Sequence, residues 1–170
     1  MKSLDTDRLS IRRLTVDDAG FILRLLNEES FLRNIGDRGV RTLDDARAYI
    51  LTGPVASYER YGFGLFLVEG RHNQTPMGIC GLLKRDGLDD ADISFAFVPE
   101  FWSQGFAFES AAAVMCFGRD VIGLPRIVAI VSPGNDRSIS LLEKLGLRFE
   151  RMIRWPADTG SELKLFGATF

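Results

Sequence analysis

The run from Ile93 to Ala107 (ISFAFVPEFWSQGFA) reads as a strand, a tight loop and the first turn of a helix. Such a junction is equipped to bind an anion. The first N–H groups of a helix lack intrahelical partners, and its aligned peptide dipoles place partial positive charge there. Phosphate or pyrophosphate matches both features. Gly105 allows close backbone approach, and the small Ala107 keeps the first turn uncrowded. The same residues also read as a glycine-assisted turn that holds no ligand. A second polar cluster, Asn135 to Ser138, follows Pro133-Gly134 and opens another helix, for which Asn135 is a favourable N-cap.

Other chemistries have little to work with. The one histidine, His72, lies in the polar run RHNQTP and reads as a solvent-exposed turn residue. Cys80 and Cys116 lie far apart in apolar surroundings. These three side chains do not make a zinc site, a Cys-His pair or a Ser-His-Asp triad, so no metal is expected. They offer no disulfide framework either, and a cytoplasmic location is the default. No G-x-x-x-x-G-K-[ST] or G-x-G-x-x-G run is present, which disfavours a nucleotide-binding protein. Twenty-one basic residues against 23 acidic ones give a net charge of −2, which supplies no field for nucleic acid or an anionic membrane. The opening MKSLDTDRLSIRRL has no apolar signal core, and no stretch approaches the length of a membrane span.

The elements that must position the loop follow from periodicity. Arg8 to Leu14 alternates as a strand, and Asp17 or Asp18 caps a helix carrying Phe21, Ile22, Leu25 and Leu26 at helical spacing. Phe31 to Arg41 reads as a loop. A second helix starts at Thr42, with Asp45 in the capping-box position, and runs toward Tyr58, with Gly53-Pro54 kinking it or ending part of it. Three strands follow, over 63–69, 77–84 and 92–98, and Pro99 stops the last. A long alanine-rich helix covers Phe106 to about Val121, where Phe106, Phe108, Val114, Met115 and Phe117 read as core. Arg126 to Val131 is an interior strand, Asn135 to Leu145 a helix closed by Gly146, and 147–153 and 163–166 supply two last strands. The order predicts an α/β fold with a mixed sheet and helices on both faces. With 46% apolar residues and no linker or repeat, residues 1–170 read as one domain.

The loop from Trp102 to Ala107, together with the run Asn135-x-x-Ser138-x-x-Leu141-Leu142-x-Lys144-Leu145-Gly146-Leu147, resembles the GNAT superfamily of N-acetyltransferases. The opening Thr6-Asp7-Arg8-Leu9-Ser10-Ile11-Arg12 is similar to that of its RimJ/RimL branch, so the likeness covers nearly the whole chain. The resemblance implies a central mixed, mostly antiparallel, twisted sheet flanked by about four helices. It implies an acetyltransferase that moves an acetyl group from acetyl-CoA to a primary amine in a ternary complex. The amine would be a protein N-terminus or a small molecule, and the chain a monomer or homodimer.

By that resemblance the main chain of Trp102, Ser103, Gln104, Gly105, Phe106 and Ala107 holds the pyrophosphate. Phe97 and Val98 adjoin the pantetheine arm, Val98 pairing with it like an added strand, and Asn135 contacts the same arm. Asp92 stands where the branch places a general base, but as aspartate rather than glutamate, within an acidic run that also reads as a solvated turn. Ser138 matches the proposed proton donor and reads equally as a first-turn helix residue. Leu142 occupies the place of the tyrosine that many superfamily members use. Glu109 in the first turn of its helix needs no role beyond the dipole. The loop 31–41 and the region near Trp155 would line the acceptor site, where Arg33, Arg38 and Arg41 hint at an acidic acceptor. The competing reading is a non-catalytic CoA-binding regulatory module.

Overall fold

Period-two alternation resolves into one eight-stranded sheet in the computed structural model, which describes residues 2–157 and 159–170. The strands are β1 (Leu4–Asp5), β2 (Leu9–Arg13), β3 (Leu65–Gly70), β4 (Pro76–Leu83), β5 (Ala91–Phe97), β6 (Arg126–Val131), β7 (Arg148–Trp155) and β8 (Ser161–Thr169). They lie in the order β1-β2-β3-β4-β5-β6-β8-β7, antiparallel throughout except for the β5–β6 pair. This is the mixed, mostly antiparallel α/β arrangement expected. The two-residue β1 is an addition, too short to show alternation. No helix among the described residues is long and apolar enough to cross a membrane.

The helices are α1 (Ala19–Leu26), α2 (Glu29–Asn34), α3 (Leu43–Ile50), α4 (Ala56–Tyr61), α5 (Phe106–Phe117) and α6 (Asp136–Lys144). At α3 the Thr42 hydroxyl accepts from the Asp45 N–H and the Asp45 carboxylate accepts from the Thr42 N–H, the reciprocal box that the spacing predicts. At the first helix the expectation is corrected. Thr15 and Asp18 form the box and head a short 3-10 turn, Val16–Asp18, that feeds α1. Pro54 has no N–H to donate, and the chain between α3 and α4 widens into a single π-type turn, Leu51–Val55. The expected loop at 31–41 is also corrected, because its first residues belong to α2.

Alternate residues of each central strand enter opposite cores. Phe66 and Val68 of β3 face the layer with Cys80, Leu82, Ile93, Ala111, Val114 and Phe117, which α5 covers. Leu65 and Leu67 face Ile79, Ile22, Leu25, Ala46 and Ile50, under α1 and α3. Burial on both faces explains why β3 reads as a nearly continuous apolar run.

One local feature of the sheet sets the site. β5 and β6 pair only at Ala91 with Ile127 and Asp92 with Val128. Beyond that point β4 keeps β5 as far as Phe97, while β8 keeps β6 as far as Val131. The two strands therefore part toward their carboxyl ends and leave a wedge. The chain leaving β5 enters α5, and the chain leaving β6 enters α6, so two helix N-termini flank the opening. Ligands of open sheets containing parallel pairs settle at such points.

Candidate active site

The loop before α5 begins with ordinary turn bonds. The Phe101 N–H donates to the Val98 carbonyl and the Trp102 N–H to the Pro99 carbonyl, at 3.0 and 3.1 Å. Then the bonding stops. The N–H groups of Ser103, Gln104, Gly105, Phe106, Ala107 and Phe108 have no acceptor among the described residues, and pairing resumes where Glu109 donates to the Gly105 carbonyl. Ser103 and Gly105 are left-handed, with φ of 61° and 83°. Left-handed residues in a turn swing successive N–H groups toward one concavity, which suits an anion. The unpaired N–H groups therefore run from Ser103 to Phe108, while the Trp102 N–H is already bonded.

The opening segment holds this loop from behind. Arg8 donates from one terminal nitrogen to the Gln104 carbonyl at 2.9 Å and from Nε to Glu109 at 2.7 Å. Its guanidinium lies 4.3 Å from the Phe106 ring centroid. Glu109 also accepts from the Thr6 hydroxyl and the Arg8 N–H. Burial works to raise its carboxyl pKa, but the bonds from Thr6 and Arg8 outweigh it and hold the pKa below the ordinary value. Glu109 is thus a structural hub that the dipole argument missed; the available signal was the charged opening Thr6-x-Arg8. The loop glycine also has a second reason. A Cβ at Gly105 would meet the Arg8 guanidinium at 3.2 Å and require the left-handed φ of 83°.

The wedge widens into a cleft of about 1140 Å³. Of the residues singled out by sequence, Phe97, Trp102, Ser103, Gly105, Phe106, Ala107, Asn135 and Ser138 line it. Gln104 is not among the lining residues, and its side-chain amide donates to the Glu100 carbonyl. Val98 is fully buried, its N–H donates to the Met77 carbonyl and its carbonyl accepts from the Phe101 N–H. By the alternation of an antiparallel ladder, the groups facing the wedge belong to Phe95 and Phe97. Of these, the Phe97 carbonyl accepts from the Trp102 indole at 2.8 Å. Phe108, expected in the core, is 41% exposed and lines the cleft.

On the α6 side, Asn135 caps its helix by accepting from the Ser138 N–H at 3.3 Å, while its amide nitrogen has no partner among the described residues. The Ser138 hydroxyl likewise makes no bond among the described residues, to the helix backbone or elsewhere. Arg137 stacks on the Trp102 ring at 4.8 Å and donates to the Ser103 hydroxyl at 2.8 Å, bridging the two flanks. Arg33, Arg137 and Lys144 line the cleft, and among the described residues no acid does.

A smaller cavity of about 460 Å³ adjoins the cleft, sharing Phe31, Ile35 and Ala96 with it. Asp92, Ser94 and Ala96 share one face of β5, and Ser94 and Ala96 line this cavity. Asp92 does not. It is 1% exposed, and the Nε of Arg85, itself a lining residue, donates to its carboxylate at 3.0 Å. Burial pushes the Asp92 carboxyl up to about 6, against the opposing pull of Arg85. The solvated-turn reading of Asp92 is therefore corrected. Trp155 lines neither space and packs near Gly87 instead. Arg41 is paired with Asp37 and also lines neither. His72 is exposed, Cys80 buried and Cys116 exposed, the last against its apolar reading.

The GNAT acetyltransferase domain family matches residues 8–148. The uncharacterized N-acetyltransferase YoaA of Bacillus subtilis is 30% identical over 152 residues, covering 89% of this chain and 85% of the relative. A GNAT-family acetyltransferase from Bacillus anthracis superposes with a TM-score of 0.81 at 22% identity, over 98% of both chains. RimL, a ribosomal L7/L12 α-N-protein acetyltransferase in complex with coenzyme A, gives 0.84 at 14% identity over 99% of this chain and 98% of its own. These two likenesses are of fold.

Proposed function

Because the chain belongs to the GNAT family of acetyltransferases, and is thus an acyltransferase, we propose that it moves an acetyl group from acetyl-CoA to a primary amine. One observation carries the cofactor half: six successive N–H groups, Ser103 to Phe108, left without acceptors among the described residues at the mouth of a wedge whose charged lining residues, Arg33, Arg137 and Lys144, are all cations. Phe106 is buried and Ala107 half-buried, so donors there seek acceptors other than bulk water, and a pyrophosphate would supply several to the whole row. The residues present fit the group. Ser103 to Phe108 would hold the pyrophosphate, Phe95 and Phe97 would pair with the pantetheine amides, and the Asn135 amide nitrogen would donate to the same arm. Residues 1–170 act as one domain in this reading.

Bound acetyl-CoA supplies an activated acyl group and a thiol leaving group. The chain's own part is to position, to exclude water and to manage protons. The amine enters through the smaller cavity and must be neutral to attack. We assign Asp92 as the group that takes its proton, through a water, since the carboxylate does not itself line the cavity. A carboxyl near 6 is ionised at neutral pH yet basic enough for this work. Ser138, with a free hydroxyl on the cleft, is assigned as the donor at the thiol side. Calorimetric titration with acetyl-CoA, followed by thiol release across an amine panel, tests the proposal. Binding and amine-dependent release are expected, and binding without release above buffer hydrolysis would refute catalysis.

A further inference from the structure

The two spaces differ in what they ask of a ligand. The cleft is already accounted for by a polyanionic cofactor. The smaller cavity has no such claimant, yet its charged lining is Arg38, Arg60, Lys84 and Arg85 with no acid among them. This occurs in a chain whose net charge is −2, so the segregation is local. Its apolar floor, which includes Leu65, Ile79 and Leu83, accounts for none of that charge.

The cations are not equivalent. The Lys84 ammonium donates to the carbonyls of Leu88 and Asp89. Arg85 uses only Nε toward Asp92, and its two terminal nitrogens have no partner among the described residues. Arg38 and Arg60 make no ion pair among the described residues, whereas the equally exposed Arg33, Arg41 and Arg47 each pair with a nearby acid. Tyr49 and Ser94 also line the cavity, and their hydroxyls have no hydrogen-bond partner among the described residues. A guanidinium fork with open terminal nitrogens matches a carboxylate in plane and in charge.

We infer that the acceptor is a small amine that carries its own carboxylate, an α-amino-acid-like molecule, held by Arg38, Arg60 and the open fork of Arg85. This rests on the acetyl-transfer reading above. The volume of about 460 Å³ fits a compact molecule. Phe31, Ile35 and Ala96 join the cavity to the cleft, so a carboxylate anchored at the cationic wall leaves the attached amine facing the wedge. A polyamine would meet four like charges there, which is rejection by repulsion.

The test titrates the CoA-loaded protein with α-amino acids, each set against its carboxamide and its decarboxylated amine, with spermidine as the cationic probe. At least one amino acid should bind about tenfold or more tightly than its carboxamide, the scale of a charge-assisted bond. Arg38→Gln should shrink that ratio toward unity while affinity for acetyl-CoA holds. Arg60→Gln supplies the second variant should the first fail to fold. Carboxamides or spermidine binding as well as the amino acids, or no amino acid binding at all, would overturn the inference while leaving acetyl-CoA binding intact. Failure to bind acetyl-CoA itself would instead fell the cofactor reading beneath it.

Discussion

The loop proposed to hold the pyrophosphate and the cavity proposed to take the acceptor lie side by side but are made of different material. From Ser103 to Phe108 the working groups are main-chain N–H groups, and side chains such as Arg8 and Glu109 only hold the curve. In the cavity the working groups are side chains from several elements, with Arg38 after α2, Tyr49 on α3, Arg60 on α4 and Arg85 after β4. A site made of backbone tolerates changes of side chain and suffers from changes of curvature. One made of side chains does the reverse. The contrast also explains their electrostatics. The loop gathers positive character from helix geometry, whereas the cavity must import whole charges and tie down those it does not use.

The most severe expected effect tests the side-chain region. Asp92→Asn should lower kcat by about a hundredfold or more, the usual scale for a lost general base, with the affinity for acetyl-CoA preserved. The sign of the pH dependence follows from the raised pKa. The ionised fraction of Asp92 grows as pH rises through about 6, so the rate should climb over that range and the variant should lose that limb. An unchanged limb in the pH-rate profile would remove Asp92 from the chemistry.

Gly105→Val attacks curvature instead. It forces a β-branched residue to the φ of 83° and sets its Cβ against Arg8. Strain of this kind costs about 1–3 kcal/mol, so the Kd for acetyl-CoA should rise about tenfold or more by calorimetry. A Kd unchanged in a folded Gly105→Val protein would mean that the loop does not hold the cofactor. Arg85→Gln then links the regions. Arg85 pulls the Asp92 pKa down, so its removal should shift the acid limb to higher pH without altering acetyl-CoA affinity. A limb that stays in place would show that the two charges are not coupled.

The difference in material also decides what the sequence could reveal. The strand-turn-helix run announces the loop because local residues alone build it, and the capping box at Thr42 and Asp45 is visible for the same reason. The sheet was legible apart from β1. The cavity was not, since Arg38, Arg60 and Arg85 meet only after α2, α3, α4 and β4 have packed. Arg33, Arg38 and Arg41 hinted at an anionic acceptor, yet they go to three places: the cleft, the cavity and an ion pair with Asp37. Likewise Asp92 looked like part of an acidic run. Its place in β5 buries it together with its neighbours Ala91 and Ile93, while Asp89 stays exposed and Asp90 remains partly so. The main-chain bonds of Val98 were hidden for a similar reason, because the direction of an amide depends on ladder parity that a neighbouring strand sets.

The smallest effect gives the finest test of the backbone argument. Ser103 adopts a φ of 61°, a conformation that costs a non-glycine residue roughly 1 kcal/mol. Ser103→Gly relieves that strain but removes the hydroxyl that accepts from Arg137, a solvent-exposed bond of about equal worth. The two changes oppose each other, so the Kd for acetyl-CoA should move by no more than about threefold. Ser103→Val loses the same hydroxyl and worsens the strain, and its Kd should rise by about tenfold or more. Arg137→Ala measures the hydroxyl bond together with the stacking on Trp102 and the cleft's positive charge, so it should weaken binding more than Ser103→Gly. If glycine and valine at position 103 weaken binding equally, the side chain carries the contact there and the loop is not a main-chain device.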